Sequence, residues 1–222
     1  NEALQYGTME TVAYYENHWL KKFRQLRALQ HVDNWHWTLR GELDEHFQTI
    51  DHQVFLDNVK LTSFGHHKSH AAAGFQTSPY DQATVVVIDA IGEFDTISIW
   101  NAHYDNNGVA KYKLKWRQLY PHSIGLFYSA ITNNVGLRPL DEEYILMGMT
   151  AYGDHTKTAT KIEHKLIRSI KPARFKENLH IGFDDSFCKK GINKFDVAAG
   201  AQHLVEKMIM GVVEKSTDYS WN

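Results

Sequence analysis

The sequence predicts an α/β fold in which a three-strand β-meander is framed by helices before and after it. Three observations carry the prediction. Apolar residues recur at three- and four-residue steps in both flanks of the chain. Between Asp81 and Leu119 that period gives way to extended, β-rich runs. Turn chemistry punctuates those runs, with Gly92 in the first connection and Asp105-Asn106-Asn107-Gly108 in the second.

Taken in order, the first forty residues read as helical. Val12, Tyr15, Trp19 and Phe23 form the apolar side, and Lys21, Lys22, Arg24 and Arg27 the solvated one. Trp35-His36-Trp37 reads as core packing, and a second helix is expected to carry Phe55, Val59 and Leu61. A helical turn follows at His66-His67-Lys68-Ser69-His70 and runs on through Ala71-Ala72-Ala73, whose small side chains favour helix. Residues 84–88, 96–100 and 112–119 are the three strands, joined as an antiparallel meander. Ser123 stands as an N-cap before a helix whose apolar face is Ile124, Phe127, Tyr128 and Ile131. Further helices are expected over 142–150, 158–170 and 197–215. The charged stretch 171–193, centred on Asp184-Asp185, reads as a solvated loop.

Composition narrows the function classes. A chain of 222 residues can bury one large core or two small ones. A formal charge of −2 and a pI near 6.7 leave no basic field, which argues against a nucleic-acid partner. The single cysteine, Cys188, excludes an internal disulfide framework and suits a reducing, cytoplasmic setting. No stretch reaches bilayer-spanning length, and the start at Asn1-Glu2 has no signal-peptide pattern, so no membrane partner is expected. The absence of an initiating methionine and the ending at Tyr219-Ser220-Trp221-Asn222 lead us to expect a piece of a longer protein, truncated at both ends.

The chemistry concentrates between residues 65 and 95. His66 and His70 are four residues apart and share one helix face, close enough to grip one cation. With fourteen histidines in 222 residues such a pair arises about once by chance, so the pair alone does not separate a metal site from ordinary histidines. His67 points about 100° away from His66 on a helix and is the weaker ligand candidate. The run Val85-Val86-Val87-Ile88 reads as a buried strand that delivers a carboxylate, Asp89, at its tip. Two imidazoles and a carboxylate suit iron, zinc or manganese and leave positions open for substrate. Asp89 and Glu93 are the catalytic candidates. Gly92 allows the backbone to approach a phosphate, although a plain hairpin turn explains it too.

Helices, a meander with a carboxylate–glycine turn between its first two strands, then helices, is the order expected of an actin-like or ribonuclease-H-like duplicated domain. On that reading residues 1–80 close a first, mainly helical lobe that carries the His-x3-His helix. Residues 81–222 form the second lobe. Three segments also resemble the carbamoyltransferase family of nodulation and antibiotic O-carbamoyltransferases. They are His66-His67-Lys68-Ser69-His70-Ala71; Ile88-Asp89-Ala90-Ile91-Gly92-Glu93, with its aspartate nineteen positions beyond His70; and Pro121-His122-Ser123-Ile124-Gly125-Leu126-Phe127-Tyr128-Ser129 taken with Glu143-Tyr144-Ile145-Leu146-Met147-Gly148-Met149-Thr150-Ala151-Tyr152-Gly153. The family pattern often has lysine where Ile145 stands and proline where Ala151 stands.

The resemblance implies an amino-terminal domain similar to the tRNA threonylcarbamoyl-adenosine synthases, with His66, His70 and Asp89 as ligands of a divalent metal. It implies that a separate carboxy-terminal domain, absent from this chain, makes carbamoyl-adenylate from carbamoyl phosphate and ATP. The amino-terminal domain then moves the carbamoyl group to the hydroxyl of a small-molecule acceptor. His122, Ser123, Gly125 and Glu143, with Gly92, are the candidates to face the adenylate, while helix capping accounts for Ser123 equally well. The rival readings are a tRNA-modifying synthase of the same fold, a non-enzymatic nucleotide-binding module with structural histidines, and a simple metallohydrolase.

Overall fold

The computed structural model describes residues 10–28, 30, 32, 38–41, 43, 59–183 and 191–220. The Trp35-His36-Trp37 cluster, Phe55, Asp184-Asp185 and Cys188 lie outside the described residues. The architecture is mixed α/β. It divides into two compact units: residues 1–73 with Gly92–Phe94, and residues 74–91 with 95–222.

In the first unit, strand β1 (Thr11–Tyr14) pairs in parallel with β2 (Lys60–Ser63), Val12 lying opposite Leu61. Helix α1 (His18–Arg27) follows β1, and Asn17 caps it, its side chain accepting from the backbone N–H of Trp19 and Leu20. Helix α2 (His66–Gln76) begins in this unit. Two expectations are corrected here. Val12 and Leu61 lie in strands, because β1 and β2 satisfy each other's backbone groups, a pairing between residues nearly fifty positions apart that helical periodicity cannot reveal. The faces of α1 also depart from the expected pattern: Arg27 is exposed as expected, but Lys22 and Arg24 are buried, whereas Leu20, Phe23 and Leu26 are exposed. Arg24 donates to the Gln30 side chain, so the helix spends this polar residue inside the unit.

The second unit holds a sheet of β3 (Gln82–Gly92), β4 (Asp95–Tyr104) and β5 (Ala110–Leu119), adjacent in that order. Strands β4 and β5 are antiparallel with shifts of register after Asp95 and Ile99. Their turn is the expected one. Gly108 takes a left-handed φ of 73°, and the Asp105 side chain accepts from the N–H of Asn107 and Val109. Strand β3 continues past residue 88 to Gly92, so Asp89 sits within the strand rather than at its tip.

Behind the sheet come α3 (Ile124–Asn134), α4 (Glu143–Met149) and α5 (Ala159–Leu166). Two short strands, β6 (Ile167–Ser169) and β7 (Arg174–Phe175), precede the long α6 (Lys194–Thr217). The helix expected over 158–170 therefore stops at Leu166. The β-branched Ile167 that follows pairs with Phe175 across a short ladder. Ile124, Phe127 and Ile131 face inward as their spacing predicts, and they meet Leu146, Ile162, Leu166, Val197, Leu204 and Met208 in one core. Phe127 stacks on Phe175 with centroids 5.4 Å apart, which ties the β6–β7 ladder to α3.

Candidate functional site

The first unit builds its site on the opening turn of α2. His66 and His70, one turn apart, bring their Nε2 atoms to 2.9 Å of each other. Two ligand atoms held about 2.0–2.2 Å from one ion lie roughly 2.9–3.5 Å apart, so this spacing matches an edge of a coordination shell. His67 is buried, with its ring 6.2 Å from that of His66 and 6.4 Å from that of His70.

Three groups of the same unit fix His66. Tyr15 meets its ring edge-on at 5.5 Å. Gly92 lies beneath it, so close that a Cβ there would stand 2.3 Å from His66 Cδ2. Glu16 faces Nδ1 at 3.7 Å. Burial raises the Glu16 pKa, but the neighbouring His66 and Lys21 outweigh it and hold the carboxyl at about 2. The Lys21 ammonium binds the other Glu16 oxygen at 2.6 Å, and the Tyr14 hydroxyl donates to it at 3.3 Å. Glu93 has a left-handed φ of 45°, and its carboxylate accepts the Asn17 backbone N–H. That bond reaches the N-cap beside Glu16, so the turn after Gly92 anchors the segment that supports His66.

The second unit positions the remaining candidates. The half-buried Asp89 accepts its neighbour's N–H from Ala90 at 2.7 Å. Ser123 is fully buried. Its hydroxyl accepts from Leu126 N–H at 3.1 Å and donates to the Ala90 carbonyl at 2.5 Å, pinning the start of α3 to β3. Gly125 completes that contact, since a Cβ there would lie 2.6 Å from Ala90 Cα. His122 Nδ1 accepts the Phe175 N–H at 3.3 Å. Burial, then the Arg174 and Arg168 charges, hold the His122 pKa below the ordinary histidine value. Glu143 accepts from the Ser129 hydroxyl and the Leu140 N–H, both at 2.6 Å, and so locks the turn into α4, where Leu140 has a φ of 64°. Tyr144 is exposed at 67 %. The nearby Tyr128 hydroxyl, pushed up to about 12 by burial and then by Glu143 and Glu206, donates to Gln202 at 2.8 Å.

Sequence reasoning missed Glu16 and Lys21. Neither stands in a motif: Glu16 meets His66 fifty positions on, and Lys21 enters only through Glu16. The one local signal is Asn17, a helix-capping residue directly after Glu16, which marks a rigid start of helix beside that carboxylate.

With this geometry in place, comparison with known proteins decides the family. The family model described as "Carbamoyltransferase N-terminus" matches residues 14–216. The chain belongs to that family. It is similar to "Uncharacterized protein sll1178" of Synechocystis, at 42 % identity over 40 % of this chain and 14 % of that protein. It is similar to "Uncharacterized protein MJ1051" of Methanocaldococcus jannaschii, at 25 % identity over 82 % of this chain and 36 % of that protein. Nodulation protein NolNO of Sinorhizobium fredii is 29 % identical over 52 % of this chain and 15 % of its own length. The chain thus spans about a third or less of the curated relatives it matches. Among the described residues, no helix is long and apolar enough to cross a membrane.

Proposed function

We propose that the chain is the acceptor-side part of a cytoplasmic carbamoyltransferase, with an actin-like lobe organisation divided near residue 80. In this reading it transfers a carbamoyl group from carbamoyl-adenylate to the hydroxyl of a small-molecule acceptor. A further domain of the same protein makes the adenylate from carbamoyl phosphate and ATP. His66, His70 and Asp89 hold one divalent cation. The observation that carries the proposal is the approach of the two Nε2 atoms to 2.9 Å on one helix turn, in a chain of this family. Gly92 adds support. It packs on His66 and so holds the ring that carries one of the two nitrogens.

Two neutral imidazoles and a carboxylate fit iron, zinc or manganese, and such an ion, when bound, supplies Lewis-acid polarisation of a carbonyl or phosphate oxygen. The chain's own residues do the rest. His66 and His70 orient the ion, and Asp89 supplies the negative charge that favours its binding. Glu93 holds the segment beside them, and we keep it with Asp89 as a catalytic candidate. Gly92, His122, Ser123, Gly125 and Glu143 make up the adenylate-side set, with Ser123 and Gly125 acting through the backbone of Ala90.

The test is metal content and acceptor carbamoylation by the full-length protein, comparing parent with His70→Ala. We expect the variant to lose the ion and the transfer step while adenylate formation persists. Transfer at the parent rate by a metal-free His70→Ala protein would refute the assignment. The non-enzymatic reading predicts no transfer by either.

A further inference from the structure

We propose that Glu16 is a positioning residue for His66: its carboxylate favours the tautomer with the proton on Nδ1 and so leaves Nε2, the atom that meets His70, unprotonated with its lone pair turned to the site. This rests on the metal reading of His66 and His70 given above.

An imidazole offers two nitrogens, and the partner of one decides which of them carries the proton. In metal sites the nitrogen that does not bind the ion is commonly held by a carboxylate, which fixes both the tautomer and the ring orientation. His66 has the groups for this arrangement in place. Its Nδ1 is buried and faces the Glu16 carboxylate at 3.7 Å, while its Nε2 points to His70 Nε2 at 2.9 Å. Glu16 is itself 5 % exposed, so this acceptor is desolvated and aimed rather than waving in water.

The carboxylate is also held from other directions. Lys21 Nζ binds its Oε1 at 2.6 Å, which leaves Oε2 for the imidazole. Asn17, the next residue, caps α1 with its side chain and gives its N–H to Glu93. The Ser69 hydroxyl donates to the Tyr15 carbonyl at 3.2 Å, joining this segment to the same turn of α2. A surface glutamate that merely met a histidine would need none of this. The arrangement reads as a carboxylate–histidine pair built to present one nitrogen.

The experiment uses the chain itself and Zn2+ as the probe. It compares the parent with Glu16→Met, Glu16→Gln and His66→Ala. Two quantities are read: the Zn2+ Kd by chelator competition, and the His66 tautomer in the metal-free protein by long-range 1H–15N correlation. We expect the parent to hold His66 with its proton on Nδ1. Glu16→Met should move that proton to Nε2 and weaken Zn2+ binding 10–100-fold, the range for partners of metal ligands. Glu16→Gln keeps an acceptor oxygen but not the charge, so it should retain the tautomer and fall between the two in affinity.

A purely structural role would lower the melting temperature and leave the tautomer unmoved. Parent tautomer and parent Kd in Glu16→Met, with the ion lost in His66→Ala, overturn this inference and leave the metal reading standing. Parent affinity in His66→Ala overturns the metal reading and this inference together. Should Glu16→Met fail to fold, Glu16→Gln decides, and a Kd equal to the parent's overturns the proposal.

Discussion

Gly92→Ala isolates the geometry of the His66 side chain from its chemistry. Gly92 is not among the residues with positive φ, so alanine adds no backbone strain and the effect is steric. The new methyl carbon would lie 2.3 Å from His66 Cδ2, 2.6 Å from Cγ and 3.0 Å from Cβ. Carbon atoms pack at about 3.5–4.0 Å, so the ring or the hairpin must move by roughly 1.2–1.7 Å. Overpacking of this kind costs about 1–3 kcal/mol, and a domain of this size loses about 2–4 °C in Tm per kcal/mol. Metal bonds tolerate only ~0.2 Å of error, so displacing His66 Nε2 by that amount should weaken ion binding at least about tenfold, or about 1.4 kcal/mol. Calorimetric titration with Zn2+ alongside thermal melting measures both terms. The double variant Gly92→Ala/His66→Ala adds the control, because removing the ring should restore most of the lost Tm while ion binding stays low. Parent-like Zn2+ affinity in Gly92→Ala would show that the imidazole is not held in place by this contact.

In the full-length protein, Asp89→Asn should lower metal affinity by about 10-fold or more while the protein stays folded; metal analysis with a melting curve checks this, and retained metal with parent-rate transfer would reduce Asp89 to a strand residue. Gly125→Ala should cost about 1–3 kcal/mol in chemical denaturation, because the Ala90 backbone against which a Cβ would press cannot swing aside as a side chain can. Leu204→Ala, at a fully buried position of α6, should cost about 2–5 kcal/mol by the same measurement. His122 makes stability pH-dependent. Its folded pKa lies below 6.5, so the unfolded chain binds its proton first. Its contribution is present above about pH 6.5 and is lost as pH falls through the depressed value, when Nδ1 can no longer accept the Phe175 N–H. Melting curves from pH 7.5 to 5 should flatten in His122→Asn relative to the parent.

Local signals in the chain were sufficient for the meander and for most of the helices after it. The turn at Asp105–Gly108, the Ser123 cap and the inward face of Ile124, Phe127 and Ile131 each depend on residues within a turn or two, where propensity and periodicity act. The His66–His70 pair was legible for the same reason, since helical spacing alone puts two side chains four apart on one face. What tertiary structure decided lies at longer range. Strand β1 exists because β2, nearly fifty residues on, supplies its hydrogen bonds, so Val12 and Leu61 left the helices that periodicity assigned them. The buried Lys22 and Arg24 broke the apparent amphipathicity of α1, because pattern ranks polarity and cannot see a partner. The roles of Glu16 and Gly92 toward His66 follow from contacts across fifty and twenty-six positions, which no local rule encodes. The sequence thus determined which side chains stand where chemistry is expected, while the folded chain determined that the two imidazoles meet through their Nε2 atoms, because that depends on neighbours brought together only by packing.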